Sequence, residues 1–96
     1  MKLIKIKSSA IHGKGALAAL ALPKGTPLPA FVKIGSSGTE KDWIRSKLGR
    51  YINHASVPNT VPFRMKNAIM LVTRKKIRKG EELTANYMAI RKAIDR

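Results

Sequence analysis

A short stretch carrying two asparagines and a histidine, a Gly-Lys-Gly, and a tyrosine that closes an acidic turn are the residues of this chain best suited to chemistry. The stretch reads Gly49-Arg50-Tyr51-Ile52-Asn53-His54-Ala55-Ser56-Val57-Pro58-Asn59, and the turn reads Gly80-Glu81-Glu82-Leu83-Thr84-Ala85-Asn86-Tyr87. An asparagine amide donates and accepts at once, which suits gripping the ammonium of an amino-acid-like ligand together with neighbouring backbone. The same amide equally suits an asparagine that satisfies only its own turn. In Ile11-His12-Gly13-Lys14-Gly15 the glycines let backbone approach a ligand and aim N–H groups at an anionic end. A lone Gly-x-Gly, however, usually marks only a turn. His12 reads as a loop residue rather than a catalyst. Tyr87, following Glu-Leu-Thr, is by default a core residue with a satisfied hydroxyl.

Taken in this order and at this spacing, these segments resemble the signature segments of the SET-domain family, the lysine methyltransferases that use S-adenosylmethionine. The resemblance spans roughly Lys7 to Tyr87, so it implies one minimal, stand-alone SET-like domain over residues 1–96. It implies a mainly β fold of several short sheets with short helices and a knot-like C-terminal threading. It further implies that Gly13, Lys14 and Gly15 line the methionine part of the cofactor, with Lys14 near its carboxylate. Arg50, Asn53 and His54 join that cofactor-binding set, Asn53 and His54 at the amino group and the adenine. Asn59 helps hold the crossing, where the C-terminal segment passes beneath this loop. Tyr87 is implied as the catalytic residue, its hydroxyl orienting lysine amine and cofactor methyl for in-line displacement, a task that is chiefly positioning. The amine must arrive neutral, which a narrow apolar channel favours. Backbone carbonyls around Arg50 to Ile52 are placed to make weak C–H···O contacts with the methyl.

Several positions depart from the family pattern. Ala55-Ser56 replace the usual Ser-Cys, Ala85-Asn86 stand where Tyr and Asp are frequent, and no aromatic follows Tyr87. The family's variable insert shrinks to about Gly35–Leu48. Phe31, Trp43 and Tyr51 remain as candidates for the walls of a substrate channel, although each also suits a core.

The elements that must position these residues are short and punctuated by Gly and Pro. Leu3 to Ile6 and Ile69 to Thr73 read as strands, whereas Ala16 to Leu22 is apolar and ambiguous between strand and helix. Leu28 to Ile34 reads as a strand in which Pro29 marks an edge or a start. A helix is expected from Thr39 to Leu48, capped by Thr39 and ended by Gly49. Leu83 to Tyr87 reads as a short strand and Met88 to Arg96 as a helix. Leu22-Pro23-Lys24-Gly25-Thr26-Pro27-Leu28 is echoed by Ile77-Arg78-Lys79-Gly80-Glu81-Glu82-Leu83, which suggests two strand–turn–strand corners of one design.

At 96 residues the chain suffices for one small domain. It holds no Cys, so neither disulfides nor thiolate zinc sites arise, and its two His and five carboxylates give no convincing metal constellation. No segment has the apolar length of a membrane span and the N-terminus lacks a signal-peptide pattern, so a soluble, intracellular protein of cytoplasm, nucleoid or a virus-infected nucleus is expected. Twenty basic residues against five acidic ones give +15, with a dense run at Arg74-Lys75-Lys76-Ile77-Arg78-Lys79. Either this is a solvated surface, or the protein works beside a polyanion. Expected partners are therefore a lysine-containing protein substrate, non-specific nucleic acid, and a second copy of the chain burying Met88, Ile90 and Ile94. The alternative to an enzyme is a catalytically weak or inactive SET-like module that binds nucleic acid or chromatin, with cofactor sensing alone as a third possibility.

Overall fold

Ala68-Ile69-Met70-Leu71-Val72-Thr73 alternates half-buried with buried side chains, the period of two required of a strand with one covered face. The computed structural model describes residues 3–34 and 43–94. In chain order its elements are β1 (Ile4–Ser8), β2 (Lys14–Ala18), β3 (Pro27–Ile34), β4 (Trp43–Arg45), α1 (Lys47–Tyr51), β5 (Asn53–His54), β6 (Thr60–Met65), β7 (Ala68–Thr73), β8 (Thr84–Ala85) and α2 (Tyr87–Ile94). They form an antiparallel β1-β2 pair, a four-stranded sheet in the order β4-β3-β7-β6, and a two-stranded β5-β8 sheet. The fold is mainly β with short helices, as the sequence implied. The core gathers Leu28, Ile69 and Leu71 from the large sheet with Leu48, Ile52 and Leu83 from the segments around it. Among the described residues no helix is long and apolar enough to cross a membrane.

The sequence echo has a structural counterpart. Leu22 and Ile77 exchange backbone hydrogen bonds of 2.9 and 2.8 Å, so the two corners dock against each other. Gly25 and Gly80 sit at the same place in each turn with φ of 84° and 86°, a conformation that disfavours any side chain.

Four local expectations need correction. The expected Thr39–Leu48 helix lies partly outside the described residues, and Trp43–Arg45 is instead strand β4, paired with Val32–Ile34 of β3. A helical segment begins only at Lys47, capped by Ser46, whose Oγ accepts from the Gly49 N–H at 3.0 Å. Gly49 therefore sits inside α1 rather than ending it. Its lack of a Cβ lets the Phe31 carbonyl approach, where any side chain would collide. Pro29 is not on an edge strand, since β3 lies inside the sheet. However, β4 reaches only Val32 to Ile34, and the β3–β7 register shifts between Leu28 and Ala30, so the missing N–H breaks no ladder bond on a crowded flank.

Tyr87 opens α2 and does not end a strand, because β8 stops at Ala85. Asn86 Oδ1 accepts from the Met88 and Ala89 N–H groups at 2.9 and 3.2 Å, the N-cap that turns strand into helix. The apolar stripe expected for a partner is divided by this helix: Ile90 is buried within the chain, and Met88 is 62% exposed. β6 had no sequence expectation. It is the outer strand beyond β7, where Pro62 is tolerated.

Candidate active site

Three segments far apart in sequence converge around the Asn53 side chain. The β1–β2 turn brings Ser9, His12 and Lys14; β5 brings Asn53; the segment entering β8 brings Glu82. That last segment runs along β2, with the Leu83 N–H donating to the Ala16 carbonyl at 2.8 Å and the Ala18 N–H to the Glu81 carbonyl at 2.9 Å. This places the Glu82 carboxylate over Gly15. A Cβ on Gly15 would lie 2.6 Å from Glu82 Oε2 and 3.0 Å from Ser9 Cβ, so a side chain there would have to displace the carboxylate.

Asn53 Nδ2 donates towards Glu82 Oε2 at 2.9 Å, Ser9 Oγ at 3.0 Å, the His12 carbonyl at 3.2 Å and the Lys14 carbonyl at 3.4 Å. Ser9 Oγ itself donates to Glu82 at 2.8 Å and accepts from the Ile11 and His12 N–H groups at 2.8 and 3.1 Å. An amide nitrogen has two hydrogens, and four oxygens stand within reach of this one. The cradle thus has more acceptors than Asn53 can satisfy, a donor set that fits an ammonium group. Gly13, Lys14, Gly15 and Asn53 are brought together as the sequence implied. Lys14 is exposed at the head of β2, and Arg50 is exposed in α1, away from these contacts. Glu82, central to the cradle, was missed: it belongs to the acidic turn, but nothing local shows that its carboxylate reaches Ser9 and Asn53.

Asn59 fastens the loop after β5 to the chain entering β8. Its Oδ1 accepts from the Thr84 N–H at 2.8 Å, and its Nδ2 donates to the Glu82 carbonyl at 2.8 Å. Thr60 Oγ1 donates to the Thr84 carbonyl at 2.7 Å, and the Ala55 N–H to the Ala85 carbonyl at 3.0 Å. Parallel pairing of Asn53 with Thr84 and His54 with Ala85 completes the clasp. Nearby, burial alone would raise the Glu81 carboxyl. Hydrogen bonds from the Arg78 backbone N–H and the Asn59 amide, with the charges of Lys75 and Arg78, outweigh it and hold that carboxyl below its ordinary value.

Tyr87, next to β5 through His54, borders a second recess. Its hydroxyl donates to the Ile52 carbonyl at 2.5 Å. On one side its ring meets the His54 ring edge-on at 5.1 Å, and His54 Nδ1 accepts from the Tyr87 N–H at 3.0 Å. His54 therefore carries its proton on Nε2 and helps cap α2. On the other side the Tyr87 ring faces Phe31 at 6.0 Å, and the Arg45 guanidinium lies over both rings. Tyr87, Phe31 and Arg45, with Val32, Ile90, Arg91 and Ile94, line a cleft of about 370 Å³. Of the three expected channel walls, Phe31 is in the cleft although its side chain is also core. Tyr51 packs half-buried against the core, and the Trp43 side chain lies outside the described residues. Arg45 had no sequence signal, because its aromatic partners are remote in the chain. Among the described residues no three His, Asp or Glu gather to hold a metal ion.

The SET domain family profile matches residues 28–88. Among solved structures, a candidate histone methyltransferase of Plasmodium falciparum superposes with a TM-score of 0.66 at 19% identity, over 91% of this chain and 94% of that one. The methyltransferase domain of human PR domain-containing protein 2 gives 0.68 at 24% identity, over 88% and 76%. A chain of the humanized Chaetomium thermophilum Polycomb Repressive Complex 2 gives 0.67 at 24% identity, over 88% of this chain and 14% of its own. No significant match to a curated protein sequence was found.

Proposed function

The chain belongs to the SET-domain family, and from that premise we propose that it is a protein lysine methyltransferase drawing on S-adenosylmethionine. The observation that carries this reading is the position of Tyr87, whose hydroxyl meets the Ile52 carbonyl, whose ring lies edge-on to His54 next to Asn53, and which lines the cleft. When bound, the cofactor supplies a methyl group on a sulfonium, already an excellent leaving group. The rest falls to this chain. The Glu82 carboxylate, Ser9 Oγ and the His12 and Lys14 carbonyls, arranged around Asn53, suit the cofactor's ammonium. Lys14 is the cation nearest to hand for its carboxylate. Phe31, Val32 and Ile90 give the cleft apolar walls that disfavour a lysine ammonium, so the amine arrives neutral. Tyr87 Oη and the Ile52 carbonyl then orient the amine towards the methyl, which is positioning and not acid–base work. The test is to incubate the pure protein with S-adenosylmethionine and a pool of lysine peptides, and to look by tandem mass spectrometry for methyl groups on lysine. Peptides left unmodified at every cofactor concentration, with no self-methylation, would contradict the reading.

A second reading, as a basic module contacting nucleic acid with or without turnover, draws on one observation. Ile77 is buried as an anchor, and Lys75, Lys76 and Arg78 around it line an open recess beside Glu81. We propose that this corner meets phosphates without sequence preference. Neutralising all three cations should flatten the salt dependence of duplex binding by about 0.9 per lost phosphate contact. Binding that ignores salt would contradict it. Self-association also stays within the proposal, now drawing on exposed Met88 and on Val61, Phe63 and Met65 of the outer strand β6. Sedimentation equilibrium that finds a monomer at low and high salt would remove it.

A further inference from the structure

The cleft beside Tyr87 has an unusual wall for a site that is to take a cationic side chain. The Arg45 guanidinium carbon lies 5.1 Å from the Tyr87 ring centroid and 5.5 Å from that of Phe31. A cation–π contact draws on the charge of a guanidinium and leaves its in-plane N–H donors able to bond a further partner. Those donors are well suited to a planar carboxylate. Of the described residues, no carboxylate pairs with Arg45. Glu82 is engaged by Ser9 and Asn53, and Glu81 by Asn59, the Arg78 N–H and Lys75. The chain as a whole carries +15, so a lysine within a basic tail would be repelled before it reached the cleft.

We propose that Arg45 makes the cleft select lysines that stand next to an aspartate or glutamate, the acidic neighbour bonding to the guanidinium while the lysine stem passes over Tyr87. This inference rests on the methyltransferase reading and narrows it to one substrate class. Arg45 is a specificity-determining residue here and takes no part in methyl transfer. Its positive charge has a second consequence: a cation at the mouth of the cleft disfavours the ammonium form of an arriving lysine, which favours the neutral amine that the transfer needs.

The experiment uses three peptides that share one central lysine, flanked by glutamate, glutamine or arginine. Binding to the whole chain is read by fluorescence anisotropy with the demethylated cofactor product present, and kcat/KM by mass spectrometry. We expect the acidic peptide to bind about tenfold more tightly than the neutral one, and the basic peptide to bind weakest, the effect expected of a charge-assisted hydrogen bond. Arg45→Gln should remove most of the difference between acidic and neutral peptides, with Arg91 left as the other guanidinium lining the cleft. Arg45→Lys, which keeps charge but not the fork, should restore part of it. Arg45 lies on the surface, and circular dichroism is the check that both variants fold. Equal binding of acidic and neutral peptides overturns the proposal. So does an Arg45→Gln enzyme that accelerates on all three peptides alike, because Arg45 would then be a plug over Tyr87. Acid-selective binding with no methyl transfer to any peptide upholds the selectivity and contradicts the methyltransferase reading, which keeps the two failures apart.

Discussion

The cradle around Asn53 and the cleft beside Tyr87 are built in opposite ways. The cradle is a web of hydrogen bonds among Ser9, Asn53 and Glu82, with a glycine beneath whose replacement would press on the Glu82 carboxylate. The cleft gathers two tilted aromatic rings and the arginines Arg45 and Arg91, closed by aliphatic side chains from β3 and α2. Polar satisfaction admits few residue types at each position, because a buried donor or acceptor left unpaired costs about 1–3 kcal/mol. Apolar walls tolerate exchange so long as volume is kept. The cradle therefore leaves a mark in the sequence, and the cleft leaves almost none.

The largest expected effect lies where the two regions meet. Tyr87→Phe removes the hydroxyl that meets the Ile52 carbonyl, while the ring contacts to Phe31 and His54 remain. Methyl transfer should fall by about 100-fold or more in kcat, in the range typical of losing one oriented donor. Cofactor affinity, measured by calorimetry, should change little. If kcat is unchanged, Tyr87 is a structural tyrosine and the cleft and cradle are not joined through it.

Gly15→Ala attacks the cradle alone. The added methyl would press on Glu82 Oε2 and Ser9 Cβ, so we expect a loss of about 1–3 kcal/mol of stability in denaturant melts, the usual cost of overpacking. A larger loss should appear in cofactor binding. The peptide preference of the cleft should survive in the variant wherever it remains folded. A variant as stable as wild type would show that the Glu82 carboxylate is free to move aside.

The smallest effect tests the clasp that supports the cradle. The Glu81 carboxyl is held below its ordinary 4.5 in the folded chain. The unfolded chain thus binds this proton more readily, so the contribution of Glu81 to stability is full above about pH 4.5 and is lost as pH falls through the lower folded value. Melting temperatures of Glu81→Gln and wild type, followed from neutral pH into acid, should converge below that point. A constant gap between the two curves would show that the carboxylate charge is irrelevant to the clasp.

Legibility in the sequence follows the same division. Gly13, Gly15, Asn53, Asn59 and Tyr87 were marked by the family resemblance, since residue type alone favoured a turn, a loop and a core tyrosine. The matching corners at Gly25 and Gly80 were visible as an echo, though their docking through Leu22 and Ile77 was not. Trp43–Arg45 read as helix because three residues cannot show a period; they are a strand because β3 offers a partner edge. β6 was hidden by Pro62, which excludes an inner strand and is harmless on an outer one. Tyr87 fell in a helix because Asn86, the residue directly after β8, caps it. Glu82 and Arg45 escaped notice as functional residues for one reason: their partners are tens of residues away, and a charged side chain on its own announces no target.

The central claim is that the four oxygens around Asn53 form a seat for the ammonium of S-adenosylmethionine. Calorimetric titration of S-adenosylmethionine into the pure wild-type chain, and into Asn53→Ala checked for fold by circular dichroism, tests it most directly. The account predicts one site per chain in the wild type, and affinity in the variant lower by about tenfold or more, since the loop from Ser9 to Lys14 loses its tie to β5. A wild-type protein that gives no heat and no thermal shift at saturating cofactor would contradict it.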